Sequence, residues 1–234
     1  MAKPGIKDRK QDNLLNSGEA DGVDVTIYTD PLCCWSWATW PQWRKFRASV
    51  VTPMTVTYKM AGLLPSWDQF NDSLNAISKP IQMAPEWAHA KRIGHVPIND
   101  RIWITDPPES SFPACIAVKA VAQQSGPAAE AYFFSLQNAV MVRSLNIAHT
   151  PVLFKIATEL ANEWSEFDPF LFRDDLLDGR GKGEFMKDLQ ETKYLRICRF
   201  PTFVFRTVRK PAMVVSGYQS FESFQAATTN LLKQ

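Results

Sequence analysis

Asp30-Pro31-Leu32-Cys33-Cys34-Trp35-Ser36-Trp37 (DPLCCWSW) lies where a strand pattern hands over to a helix pattern. Before it, Val23 to Thr29 (VDVTIYT) alternates and is rich in β-branched residues, which reads as a strand broken by Asp30-Pro31. After it, Cys33 to Val50 reads as a helix, with Pro41 expected to kink it. Met54 to Met60 (MTVTYKM) reads as a second strand. A strand-helix-strand unit of this kind pairs its strands in parallel.

Working outward, Gly62 to Leu195 contains little strand pattern. Asp68 to Ile77, Ala84 to Arg92, Pro113 to Gln124, Ala128 to Leu145, Pro151 to Trp164 and Phe170 to Leu177 all read as helical. Gly179 to Gly183 (GRGKG) reads as a loop, and Gly181 to Tyr194 as a helix that leads back towards strand. Near the C-terminus, Thr202 to Val208 (TFVFRTV) and Ala212 to Ser216 (AMVVS) read as strands joined by a basic turn. Phe221 to Leu232 reads as an amphipathic helix with Phe221, Phe224 and Leu231 or Leu232 on one face. A β-α-β opening, a helical middle and a β-β-α ending predict an α/β chain: a thioredoxin-like fold with an inserted all-helical domain. The expected boundaries are a disordered tail over 1–22, a thioredoxin-like domain over 23–61 and 196–234, and the helical insertion over 62–195.

Composition narrows the function. The 234 residues carry a formal net charge of +2, which argues against nucleic acid as the main partner. No run of about eighteen apolar residues offers a membrane span. Met1 to Gly22 lacks the apolar core of a signal peptide, so a cytoplasmic protein with reduced thiols is expected. Four cysteines (Cys33, Cys34, Cys115, Cys198) and three scattered histidines (His89, His95, His149) suggest neither a disulfide framework nor a metal site, and no bound cofactor is expected.

The chemistry is sought in DPLCCWSW. A cysteine at a helix start faces unpaired backbone N–H groups and the positive end of the helix dipole, and both favour the thiolate. Cys33 is therefore the candidate nucleophile, with a buried apolar cysteine as the competing reading. Ser36 is placed to donate a hydrogen bond to its thiolate. Asp30 reads as a helix cap, or else as a carboxylate near the thiol. Phe200-Pro201-Thr202 precedes a strand, where Pro201 reads as punctuation at the strand entry or else as a cis proline.

DPLCCWSW resembles the DP/DF-x-C-P-W-C segment of FrnE-like members of the DsbA family. RFPTFVF (Arg199 to Phe205) resembles that family's cis-proline loop and following strand, and VSGYQSFESF (Val215 to Phe224) resembles the segment that opens its last helix. The resemblance covers about Val23 to Met60 and Arg196 to the C-terminus. It implies a thiol-disulfide oxidoreductase with Cys33 as nucleophile, Trp35 beside it and Pro201 flanking the thiol. Trp35, Phe200, Thr202, Gly217 and Gln219 would line the substrate side.

The sequence departs from the family at one decisive place: Ser36 stands where the second cysteine belongs, so the motif is CxxS. Cys34 is a poor substitute as resolving thiol, because adjacent Cα atoms are about 3.8 Å apart and disulfides prefer roughly 4.4–6.8 Å. Cys198, three residues before Pro201, is a second candidate resolving thiol, with a buried strand-entry residue as its competing reading. Cys115 reads as helix packing, as do most of Trp37, Trp40 and Trp43. The Pro-rich stretch Arg101 to Ser111 with Trp103 reads as an inter-helix loop, and Asp174-Asp175 and Arg206/Arg209/Lys210 read as solvated charge clusters.

The resemblance implies three alternative functions. Monothiol exchange by Cys33 would act on protein thiols and disulfides, with glutathione as a co-substrate. A redox-inactive adaptor would bind a client protein on the same fold. A kappa-class glutathione transferase or 2-hydroxychromene-2-carboxylate isomerase would place serine where Cys33 stands.

Overall fold

The structure is a computed structural model that describes residues 22–72, 75–208 and 210–232. The expected tail over 1–22 lies outside it except for Gly22, as does Arg209 of the basic cluster.

Among the described residues, four strands form one sheet in the order β2-β1-β3-β4. β1 (Val23–Thr29) pairs in parallel with β2 (Met54–Met60), and α1 (Cys34–Ser49) makes the crossover. On its other side β1 pairs antiparallel with β3 (Thr202–Arg206), which forms a hairpin with β4 (Met213–Ser216). α9 (Phe221–Leu232) closes the chain against α1. Both C-terminal strands are shorter than their sequence patterns.

The core of this half is aromatic. Phe203 on β3 lies 5.0 Å from Trp43 and 4.9 Å from Phe224, measured between ring centroids, and Phe46 stacks on Phe224 at 5.4 Å. Such offset and edge-to-face pairs add to area burial. Pro41 lies exposed inside α1, which runs through it as one helix.

Between β2 and β3 lie α2 (Met83–Gly94), α3 (Ile102–Thr105), α4 (Phe112–Val121), α5 (Gly126–Met141), α6 (Thr150–Ala161), α7 (Pro169–Leu177) and α8 (Arg180–Tyr194). Their buried side chains and those of the sheet form one continuous apolar cluster. Polar groups also join the two parts. Asp188 on α8 is 3.1 Å from Lys59 of β2 and 2.9 Å from Lys119 of α4, and it accepts the Met60 N–H.

Four expectations need correction. Over its described residues, 68–72 and 75–77, Asp68 to Ile77 is not a helix: Asp72 and Ile77 pair as a bridge, the Asp72 side chain accepts the Asn75 N–H, and Ala76 is left-handed (φ 54°). A side chain that caps its own turn competes with helical bonding. GRGKG is not a loop, because α8 begins at Arg180 and Gly181 packs against α4. A Cβ on Gly181 would stand 2.8 Å from the Ile116 carbonyl oxygen, so glycine here marks close helix approach. Arg101 to Ser111 contains α3, whose Trp103 is buried beside Trp67 and Trp87. Asp175 is not solvated but buried, and it pairs with Arg180 at 2.5 Å.

Candidate functional site

The β1–α1 turn places Cys33 as the N-cap residue of α1. Its N–H donates to the Asp30 carbonyl at 3.0 Å, and its Sγ accepts the Ser36 N–H at 3.4 Å. A sulfur in this position meets the helix N-terminus, as the sequence suggests. The electrostatic outcome is the reverse of the expectation. Cys33 is only 4% exposed, and burial pushes its thiol up to about 11. The Ser36 hydroxyl and N–H oppose that rise, the Asp30 charge adds to it, and the Trp35 N–H opposes it more weakly. Removal from water outweighs the helix end because a thiolate in an apolar setting loses its hydration.

Ser36 is fully buried and also accepts the Thr29 hydroxyl at 2.7 Å. Cys34 is 4% exposed. Burial raises its thiol, and the charges of Cys33 and Glu86 raise it further. Cys33, Cys34, Cys115 and Cys198 are all free.

Asp30 does not cap α1. Its carboxylate is fully buried and accepts from Leu32 N (2.8 Å), Leu63 N (2.6 Å), the Ser111 hydroxyl (2.7 Å) and the Cys115 thiol (3.3 Å). Burial raises its pKa, and these four donors hold the rise back. Cys115 is therefore more than packing, because it donates to the carboxylate that neighbours the reactive segment.

The Pro201 loop reaches the same place through strand register. Tyr28 pairs with Thr202, so one step further brings Pro201 alongside Thr29, four residues before Cys33. The Phe200–Pro201 bond is cis, as the resemblance implies. Gly217, left-handed at φ 78°, donates its N–H to the Pro201 carbonyl at 2.7 Å. Thr202 is buried, and its hydroxyl is engaged with Arg199 O and Ser216 Oγ. Gln219 Nε2 donates to Ser216 O at 2.9 Å. Phe200, Thr202, Gly217 and Gln219 thus belong to one loop cluster, in which Thr202 and Gln219 serve the loop itself. Cys198 is exposed, which excludes its reading as a buried strand-entry residue.

Trp35 is half-buried and reaches across to the helical segment. Its Nε1 donates to Glu86 Oε1 at 2.5 Å, and its ring meets His89 at 5.2 Å and Tyr218 at 6.5 Å. Glu86, His89, Tyr218, Ser111 and Cys115 were not singled out for the site by sequence reasoning. The one available signal was the i, i+3 spacing of Glu86 and His89, which puts both on one face of α2. Among the described residues, no group of three or more His, Cys, Asp or Glu side chains is arranged to hold a metal. No described helix is long and apolar enough to cross a membrane.

A family model described as thioredoxin matches residues 27–226. The ClpXP adapter protein SpxH of Halalkalibacterium halodurans is 22% identical over 213 residues, covering 90% of this chain and 68% of that protein. Among solved structures, a candidate protein disulfide isomerase of Nitrosomonas europaea superposes with a TM-score of 0.73 at 19% identity, over 91% of this chain and 98% of that one. The cytosolic disulfide reductase DsbM of Pseudomonas aeruginosa with GSH gives a TM-score of 0.61 at 18% identity, over 89% and 95%. At these identities the structural likeness is one of fold. The chain belongs to the thioredoxin family and carries the DsbA-like form of its fold.

Proposed function

We propose that the protein carries out monothiol thiol–disulfide exchange through Cys33, with glutathione as the resolving thiol, in the cytoplasm. The observation that carries this reading is the position of Cys33 Sγ at the N-cap of α1, held by the Ser36 N–H. A thiolate formed there gains from the Ser36 hydroxyl and the helix end.

The exchange runs in two steps. Cys33 loses its proton, and its thiolate attacks one sulfur of a substrate disulfide. A Cys33–substrate disulfide forms, the substrate S–S bond breaks, and the second substrate sulfur leaves as a thiolate that takes up a proton. Glutathione thiolate then attacks the substrate sulfur of that mixed disulfide and releases Cys33 as thiolate. Ser36 cannot close an internal disulfide, and in this reading an external thiol takes that role at the second step. The likeness to the structure of DsbM with GSH supports glutathione in this role.

A second reading is a client-binding adaptor. The buried, neutral thiols and the missing second cysteine favour it, and so does the similarity to the SpxH adapter. One experiment separates the two. The protein is incubated with oxidised glutathione at pH 8.5 and digested, and Cys33-containing peptides are weighed, with Cys33→Ser and Cys34→Ser alongside. Monothiol exchange requires a glutathione adduct on Cys33 that persists in Cys34→Ser and that reduced glutathione removes. An unmodified Cys33 in all samples leaves the adaptor reading standing.

A further inference from the structure

We propose that Glu86 and the ring of Trp35 form a subsite for a cationic group of the disulfide substrate, an alkylammonium or a guanidinium, beside Cys33. This specificity element rests on the exchange reading above.

Three observations carry it. Trp35 lies two residues after Cys33 in the first turn of α1, and its Nε1 binds Glu86 on the facing helix α2 at 2.5 Å. Glu86 is half-buried, and the neutral indole is its only partner among the described residues. Among the described residues, several other shielded acids are compensated: Asp188 by Lys59 and Lys119, Asp175 by Arg180, Glu130 by Arg47, and Asp30 by four donors. A partly desolvated carboxylate held by one neutral donor retains unmet attraction for a cation. Finally, Glu86 is near enough to Cys34, the neighbour of Cys33, for its charge to raise that thiol.

The aromatic groups complete the site. The Trp35 ring meets the His89 ring edge-to-face at 5.2 Å, and Tyr218, from the loop after β4, lies 6.5 Å away. Glu86 Oε1 meets the edge of the indole, so a cation bound at Oε2 and lying over the Trp35 face would add cation–π attraction to the ion pair. His89 is on the solvent side of this group. The shared chemistry has two sources: the γ-glutamyl ammonium of glutathione, or a Lys or Arg beside a protein disulfide.

The test uses three small disulfides: cystamine (cationic), hydroxyethyl disulfide (neutral) and dithiodipropionate (anionic). In each reaction the Cys33 thiolate bonds to one probe sulfur, the probe S–S bond breaks, and the other half leaves as a thiolate that is protonated. Rates are measured for the full-length protein and Glu86→Gln. A part-buried ion pair predicts a cystamine-to-hydroxyethyl rate ratio about fivefold higher in the wild type than in Glu86→Gln, with dithiodipropionate slowest in the wild type. Oxidised glutathione and a peptide disulfide with lysine beside its cysteine identify the source, as the one slowed by Glu86→Gln. A ratio unchanged by Glu86→Gln overturns the proposal.

If no probe reacts, the exchange reading fails, and binding still decides the subsite. Lysinamide is titrated while the Trp35 indole N–H resonance is followed, assigned with Trp35→Phe. A saturable shift that Glu86→Gln abolishes supports the subsite, and a resonance that does not move overturns it.

Discussion

At the residue scale, the main finding is a thiol at the N-terminus of a helix that is nonetheless neutral. With its thiol near 11, Cys33 has about one part in ten thousand as thiolate at pH 7. Alkylation of Cys33 is therefore expected to be slow at neutral pH, with a midpoint near 11, measured by iodoacetamide labelling of the Cys33 peptide against pH. The same shift links to stability. In the unfolded chain this thiol ionises at its ordinary, lower pH, while the folded state keeps its proton. Its stabilising contribution is whole below the ordinary thiol range and disappears as pH rises through about 11. The loss amounts to roughly 2–3 kcal/mol for Cys33, and Tyr28, pushed up to about 12, acts in the same direction. Urea unfolding between pH 7 and 11 checks this, with a smaller alkaline loss expected for Cys33→Ser. Asp30 offers a second handle. Its charge disfavours the Cys33 thiolate, so Asp30→Asn should lower the labelling midpoint. The same change costs about 1–3 kcal/mol of stability, because an amide cannot accept from all four donors.

At the element scale, the prediction concerns α4 and α8, which approach closely at Gly181. Gly181→Ala would drive a methyl against the Ile116 carbonyl oxygen and Ala120, neither of which can swing away. The expected loss is about 1–3 kcal/mol in urea unfolding, and Gly183→Ala, facing open space, serves as the control. Elements were legible in the sequence where one physical signal dominated. VDVTIYT and MTVTYKM carry β-branched alternation, and both became strands over the expected residues. Asp68 to Ile77 misled because a bridge between Asp72 and Ile77 competes with helical bonding. GRGKG misled because a glycine kept for close packing looks the same in sequence as one kept for a turn. The site was half legible. The N-cap thiol, Ser36 and the Pro201 loop follow from local pattern, since strand and helix ends are local events. Ser111, Cys115, Glu86 and His89 join only by folding, from up to 85 residues away from their partners. The raised Cys33 thiol was illegible for a related reason, because burial is a property of everything packed over a residue.

At the scale of the whole molecule, Asp188 ties together three elements: β2 through Lys59 and the Met60 N–H, α4 through Lys119, and its own helix α8. Its side chain is 3% exposed, so Asp188→Ala leaves Lys119 without its buried counter-charge and the Met60 N–H without its acceptor, while Lys59 keeps Glu191. A loss of about 3–5 kcal/mol is expected. Because sheet and helices share one apolar cluster, the urea transition should stay single while its midpoint falls. The strand order has a consequence during synthesis. β1 is central, with β2 close behind it in the chain, but its other neighbour, β3, arrives late: Thr26 pairs with Val204. At about 5–20 residues per second, a ribosome leaves that flank of β1 without its partner for roughly ten seconds or more. A nascent chain of this topology therefore presents an open backbone edge for most of its translation, a period in which chaperones would find it and neighbouring chains on a polysome could pair with it.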